Sequence, residues 1–101
     1  MTETTFLVLL AVYSPNHGYG IMQFIESITN GRVVLGAGTL YGAISALEKK
    51  KWIIPFGDEA ESKKNQYVIS ELGKQKAEEE LRRMTEVMKL ASSIIREDGS
   101  L

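Results

Sequence analysis

Apolar positions recur with helical spacing in three stretches of the chain, and a fourth stretch near the start is continuously apolar; together they predict a mainly helical protein. The first helix is predicted from Glu3 to about Tyr13, because Thr2 is a good capping residue and a Ser-Pro-Asn turn follows. From Phe6 onward this helix is apolar on every side. We therefore expect it to be covered on two faces, one by its own domain and the other by a second subunit.

A second helix is predicted to begin after His17 and to reach about Thr29. Its apolar residues recur at steps of three and four and are expected to be buried: Ile21, Phe24, Ile25 and Ile28. The pair Asn30-Gly31 should end the helix, because both residues tolerate the left-handed backbone conformation. A very short strand is predicted at residues 32–35.

The third helix, predicted over residues 36–50, has two different faces. Leu40, Ile44 and Leu47 share one face at helical spacing and are expected to be buried. The other face is narrow, because it carries small, neutral side chains and has lysines only at its C-terminal end, unlike an ordinary solvated helix. A helix that enters the major groove of DNA needs such a face. A helix that packs against another protein element could have the same face. The residues predicted to contact bases or phosphates are Thr39, Tyr41, Gly42, Ser45 and Lys49.

Two strand-like segments follow, at 52–56 and 65–69, and predict a hairpin whose first strand lies at an edge because it contains proline. The loop between them, 57–64, carries charges of both signs. Its Lys63 and Lys64 are predicted phosphate contacts. The order of helix, helix, two-faced helix and hairpin predicts a winged helix-turn-helix.

A long amphipathic helix is predicted from the cap residue Ser70 to about Arg96. Its apolar residues continue over more turns than a small domain can cover, which predicts a partner helix from a second copy. The predicted dimer interface consists of Leu81, Met84, Val87, Met88, Ala91, Ile94 and Ile95. We divide the chain into a winged helix-turn-helix domain at 1–70 and a C-terminal dimerisation helix with a frayed tail at 71–101.

Composition limits the remaining possibilities. The chain has 101 residues, of which 44% are hydrophobic, and this is enough for one domain with a modest core. It contains no Cys, so disulfides and thiolate metal sites are excluded. The single His17 has no ligand partners at suitable spacing, and we interpret it as a helix-start hydrogen-bonding residue. We expect neither a metal nor another cofactor.

Charge and hydropathy also bear on partners and location. The formal net charge of -1 argues against a generally basic nucleic-acid binder, but lysines are concentrated at 49–51 and 63–64, so a local basic surface is compatible with this total. The N-terminal segment has no basic region before its apolar run, and that run is far shorter than a membrane span. We expect a soluble cytoplasmic protein with no membrane partner.

Three sequence elements carry a resemblance to a known family: 17–21 (His-Gly-Tyr-Gly-Ile), 38–48 (Gly-Thr-Leu-Tyr, later Leu-Glu) and 67–73 (Tyr-Val-Ile-Ser-Glu-Leu-Gly). With these, the chain resembles the PadR family of bacterial transcriptional regulators, in the short form with one C-terminal helix. The resemblance implies a homodimeric winged-helix repressor of a pseudo-palindromic operator. Gly42 stands where the family usually has proline, and Lys51 where it usually has glycine.

The resemblance also implies a central cavity that accepts flat apolar compounds in multidrug-responsive relatives. Here the first and last helices would supply its walls. The effector-contact residues predicted on this basis are Phe6, Leu10, Met84 and Met88. Packing between two subunits would use the same atoms.

The same residues bear on two other possible functions, an enzyme and a protein-binding module. Gly36, Gly38 and Gly42, with Asp58 further on, suggest a dinucleotide-binding turn, but the spacing fails at Tyr41. Neither paired carboxylates nor a nucleophile with a base supports catalysis, so we do not expect an enzyme. A winged helix that binds only protein is the remaining alternative.

Overall fold

The computed structural model describes residues 1–57 and 65–97. Within these residues the elements in chain order are α1 (Glu3–Ala11), β1 (Asn16–His17), α2 (Gly18–Ile28), α3 (Ala37–Lys49), β2 (Ile53–Phe56), β3 (Gln66–Ile69) and α4 (Glu71–Glu97). The predicted class, a winged helix with a long C-terminal helix, is confirmed. Most of the predicted wing loop, with Lys63 and Lys64, and the tail at 98–101 lie outside the described residues.

The predicted helix caps are present. The side chains of Thr2, His17 and Ser70 each accept a hydrogen bond from the backbone N–H three residues ahead, at 3.2, 3.3 and 3.0 Å respectively. At the end of α2, Asn30 and Gly31 have φ values of 51° and 79°. Both residues therefore adopt the left-handed conformation expected of a helix terminus.

The core lies where α1 packs against α2, α3 and the start of α4. Within one copy, most residues of the apolar helix α1 are buried or half-buried, whereas its cover by a second subunit stays a prediction. The buried apolar residues of the core are Leu7, Val8, Leu9, Ala11, Val12, Ile21, Ile25, Leu40, Ile44, Leu47, Ile53 and Ile69.

Two expectations about α2 and the segment after it are wrong. Phe24 and Ile28 are 38% and 48% exposed, because α2 buries a narrower stripe against α1 and α3 than its apolar pattern indicates. Residues 32–35 do not form a strand. The N–H of Val33 instead donates to the Thr29 hydroxyl at 3.1 Å, so a local side chain satisfies a group that a sheet would otherwise pair.

The sheet has three antiparallel strands in the order β1-β3-β2, one strand more than the predicted hairpin. Strand β2 pairs with β3 from Ile53 opposite Ile69 to Phe56 opposite Gln66, and the proline-containing β2 lies at an edge as predicted. The two-residue strand β1 covers the other side of β3. The wing is therefore attached to the turn between α1 and α2 as well as to α3.

Helix α4 has 27 residues, which corresponds to a length of about 40 Å. Only its first part packs on the domain, where Gly73, Ala77 and Glu80 are buried. The remainder extends away and gives the molecule a longest dimension of 60 Å. Among the described residues, no helix is both long and apolar enough to cross a membrane.

Candidate nucleic-acid interface

Helix α3 places all five of its predicted contact residues on the surface. Leu40, Ile44 and Leu47 are each at most 2% exposed and attach one side of the helix to the core. The opposite side is solvent-exposed along the whole helix and includes every residue predicted for this interface: Thr39, Tyr41, Gly42, Ser45 and Lys49. The two faces predicted for α3 are therefore present.

The glycines of this region fall into two groups. A Cβ added to Gly73 would collide with the Trp52 backbone carbonyl, and one added to Gly18 or Gly20 would displace the side chain of Tyr41 or Asn16. A Cβ added to Gly38 or Gly42 would meet no atom within 4 Å. The absence of a side chain at these two positions leaves the backbone of α3 accessible from outside.

Tyr41 has a structural contact that the sequence did not reveal. It is 50% exposed, but its ring and hydroxyl lie against Gly18, the first residue of α2, so closely that no side chain fits there. Tyr41 thus joins the two helices of the helix-turn-helix. The side chain contributes to the angle between α2 and α3 as well as to the exposed surface.

Helix α3 ends in a Schellman motif, in which the last helical carbonyls accept bonds from beyond the terminus. The N–H of Trp52 donates to the Leu47 carbonyl at 3.0 Å, and the N–H of Lys51 donates to the Glu48 carbonyl at 2.9 Å. Lys51 has a φ of 64°, the left-handed conformation, although it is not glycine. The turn therefore has ordinary geometry, and the lysine carries the conformational strain.

Two contacts hold the residues that follow α3. The Lys50 ammonium lies 4.7 Å from the centre of the Trp52 ring, a cation–π distance. The Ser70 hydroxyl lies 2.7 Å from the Lys51 carbonyl oxygen and 3.0 Å from that of Trp52. The end of α3 and the beginning of α4 are thus joined at a single junction.

The base of the wing forms a cavity of about 280 Å³ beside the end of α3. Glu48 from α3 and Tyr67 from β3 are among its lining residues. Burial raises the pKa of Tyr67, and the Glu48 carboxylate raises it further. The cavity thus combines one carboxylate with apolar and amide side chains, and no lysine is among the described residues that line it.

A second cavity, of about 430 Å³, lies between α1 and α4. Of the four predicted effector contacts, Phe6, Leu10 and Met84 line it. Met88 is not among its lining residues and is 69% exposed. The structure thus brings three of these side chains together and leaves the fourth further along α4.

The same cavity has a charged wall that the sequence reasoning missed. Glu80 is buried, and its carboxylate accepts two hydrogen bonds from the Arg83 guanidinium, at 3.0 and 2.6 Å. These bonds hold the pKa of Glu80 below its ordinary value. The signal in the sequence was a glutamate on the apolar side of the helix, three residues after Ala77 and before Arg83.

The residues predicted for a dimer interface are not covered by the chain itself. Met84 is half-buried, and the others are exposed: Leu81, Val87, Met88, Ala91, Ile94 and Ile95. Leu90, which the prediction omitted, is also exposed. Together they leave the second half of α4 with a largely apolar surface.

Comparison with protein families gives one match that covers most of the chain. Residues 6–79 match the family described as the transcriptional regulator PadR-like family. The matched segment extends from α1 to the first turns of α4 and includes all three motifs quoted above. It therefore covers the whole of the helix-turn-helix and its wing.

Two solved structures resemble this chain in fold, and one further protein resembles it in sequence. A transcriptional regulator from Clostridium thermocellum is 25% identical and has a TM-score of 0.75, with 88% of this chain and 85% of that chain covered. Bacillus subtilis PadR in complex with operator DNA has a TM-score of 0.65 at 17% identity, over 79% of this chain and 47% of its own. An uncharacterised protein of a Streptomyces fradiae transposon is 34% identical over 81% of this chain, which spans only 23% of that protein.

Proposed function

This chain belongs to the PadR-like family of transcriptional regulators, and we propose that it is a sequence-specific DNA-binding repressor that acts as a homodimer on a pseudo-palindromic operator. Residues 1–70 would read the DNA, and residues 71–101 would join two copies. The observation that carries the proposal is the exposed, narrow face of α3, with its backbone accessible at Gly42. The operator complex of Bacillus subtilis PadR supports this use of the fold.

Two kinds of contact are proposed on this face. Thr39, Tyr41, Gly42 and Ser45 would lie at base edges or at the nearest phosphates, because the N-terminal part of a recognition helix enters the major groove. Lysines would contact phosphates and position the protein without reading sequence. The proposed phosphate contacts are Lys49, Lys63 and Lys64.

Selection of bound duplexes from a random DNA library tests the proposal most directly. We expect enriched half-sites separated by about one helical turn, roughly 34 Å, because two recognition helices related by a two-fold axis would enter one side of the duplex. Binding should weaken steeply as salt rises. If no sequence is enriched and binding does not depend on salt, the fold is used for protein contacts instead.

Two variants separate base contacts from phosphate contacts on a selected duplex. Ser45→Glu should abolish binding, because it places a carboxylate against the DNA, whereas Ser93→Glu on α4 should leave binding unchanged. Lys49→Ala should weaken binding to all sequences about equally and reduce the slope of log affinity against log salt by about one. An unchanged salt slope would remove Lys49 from the phosphate contacts.

We also propose a small hydrophobic effector that enters the cavity between α1 and α4. Phe6, Leu10 and Met84 supply apolar walls, and methionine adapts to ligands of varied shape. A planar apolar dye should bind there and lower operator affinity over the same concentration range. Dye binding that Met84→Ala leaves unchanged, or that has no effect on operator affinity, would contradict this role.

A further inference from the structure

The exposed face of α3 lacks the side chains that most often read guanine and adenine. Arg or Lys bonds guanine in a bidentate manner, and Asn or Gln does the same with adenine. Throughout Ala37–Lys49, which the structure describes completely, there is no Arg, Asn or Gln, and the only Lys is the last residue. The exposed positions are Ala37, Gly38, Thr39, Tyr41, Gly42, Ser45, Ala46 and Lys49.

The polar groups of this face are further restricted by the fold. The Tyr41 hydroxyl lies against Gly18, at the contact between α2 and α3. Lys49 is at the C-terminal end, whereas base contacts come from the N-terminal part of a recognition helix. The middle of the face is left with the backbone at Gly42, the short side chain of Ser45 and the methyl group of Ala46.

Gly42 has no internal reason to be glycine. It lies inside a helix, where glycine is less favourable than alanine, and a Cβ at this position would meet open space. It therefore differs from Gly73, whose missing side chain makes room for the Trp52 carbonyl. Glycine at position 42 therefore keeps the helix backbone open to a molecule that approaches α3 from outside.

We propose that α3 recognises thymine by its 5-methyl group, with Gly42 as the specificity-determining residue. This inference rests on the proposed DNA-binding function and names the class of operator. The thymine methyl projects into the major groove and is read by apolar contact. At Gly42 the helix backbone can approach that methyl closely, and the Ser45 methylene and the Ala46 methyl lie on the same face, three and four residues further along. The operator half-sites should therefore have thymine at the central contacted positions.

Chemical substitution in a selected duplex tests which base atoms matter. Replacing contacted thymines by deoxyuridine removes only the methyl group and should weaken binding about fourfold for each thymine, as expected for one buried methyl group. Replacing guanines by 7-deazaguanine removes the N7 acceptor and should weaken binding less than twofold. If the loss from 7-deazaguanine equals or exceeds the loss from deoxyuridine, the inference is overturned.

Gly42→Ala separates this role from a structural one. The variant should raise the Tm by roughly 4 °C, because alanine favours the helix, yet weaken binding to the selected duplex about tenfold or more. The deoxyuridine penalty should also shrink, since the methyl contact is already lost. Gly31→Ala is the control: at its φ of 79° it should lower the Tm and leave affinity unchanged well below the Tm.

The outcomes distinguish the two levels of the argument. A chain that enriches no duplex and binds DNA without salt dependence contradicts the proposed function itself. If a duplex is enriched but the Gly42→Ala variant binds it as tightly as the unchanged protein does, only the thymine readout is contradicted. If the Gly42→Ala variant is more stable but binds the selected duplex more weakly, with no further loss on deoxyuridine substitution, both the DNA-binding function and the thymine readout are supported.

Discussion

The apolar residues of the three-helix domain are buried, whereas those of the second half of α4 are exposed to solvent. In the domain, residues such as Leu9, Ile25 and Ile44 are at most 2% exposed. In α4, Met88 and Ile94 are 69% and 65% exposed although they follow an equally regular helical pattern. Periodicity therefore predicts which residues share a face, but it does not tell whether the chain itself covers that face. Burial within one copy and burial between copies give the same sequence pattern.

The largest expected difference in stability between the two regions comes from a substitution that opens a cavity in the domain core. Ile44→Ala should lower the free energy of unfolding by about 2–5 kcal/mol, because Ile44 is 2% exposed and its neighbours cannot fill the space. The matched variant Ile94→Ala should change it by less than about 0.5 kcal/mol in protein diluted to monomer. Urea unfolding followed by circular dichroism measures both. Equal losses would mean that the two regions do not differ as described.

A charge in α4 should affect association and leave the domain intact. Met88→Lys should convert a dimer at micromolar concentration into a monomer, because the ammonium would have to be desolvated between two copies. Ser93→Lys places the same charge on the opposite side of the helix and should leave the dimer intact. Sedimentation velocity distinguishes the two states. A folded monomer of the unchanged protein at that concentration would contradict the proposed interface.

The junction between the two regions can be strengthened at Lys51. Lys51→Gly should raise the free energy of unfolding by about 1 kcal/mol, because glycine adopts the left-handed conformation without the strain of a Cβ. Lys50→Gly should instead be destabilising, since Lys50 is in the right-handed helical region and its ammonium lies over Trp52. Thermal unfolding of both variants would test this pair. A loss of stability in Lys51→Gly would show that the lysine side chain matters more than its backbone strain.

The smallest effect concerns pH and the Glu80–Arg83 pair, where α4 still touches the domain. The pKa of Glu80 is lower in the folded protein than its ordinary value of 4.5, mainly through its hydrogen bonds with Arg83. Its contribution to stability should be fully present above pH 4.5 and be lost as the pH falls through the folded pKa. Glu80→Gln should therefore flatten the decline of Tm between about pH 4.5 and 3. An identical decline in both proteins would assign acid sensitivity to other carboxylates.

Much of the fold could be predicted because the relevant signals are local. Caps at Thr2 and Ser70 and the turn residues Asn30 and Gly31 act within a few positions of where they stand. The errors arose where a tertiary contact decides. Strand β1 is too short and polar to be recognised without β3 beside it. The segment 32–35 contains two β-branched valines, but the Thr29 hydroxyl satisfies one of its backbone groups locally.

The candidate interface was predictable in outline and not in detail. Exposure of Ser45 and Lys49 follows from helical spacing once Leu40 and Ile44 are assigned to the core. The contact of Tyr41 with Gly18, and the accommodation of Lys51 without glycine, depend on distances between elements that a sequence does not contain. Glu80 shows the same limit, because its burial depends on how α4 meets α1.

The Ser70 hydroxyl contacts the carbonyls of Lys51 and Trp52, so α4 is a lever arm whose base is fixed to the end of α3. Gly73 brings the first turn of α4 so close to Trp52 that the joint has no room for a side chain and little freedom to bend. Met88 lies about 27 Å along α4 from Ser70, at 1.5 Å per residue. If two copies pair through α4, a shift of about 5 Å at Met88 would therefore rotate α4 and the end of α3 together by roughly 10°.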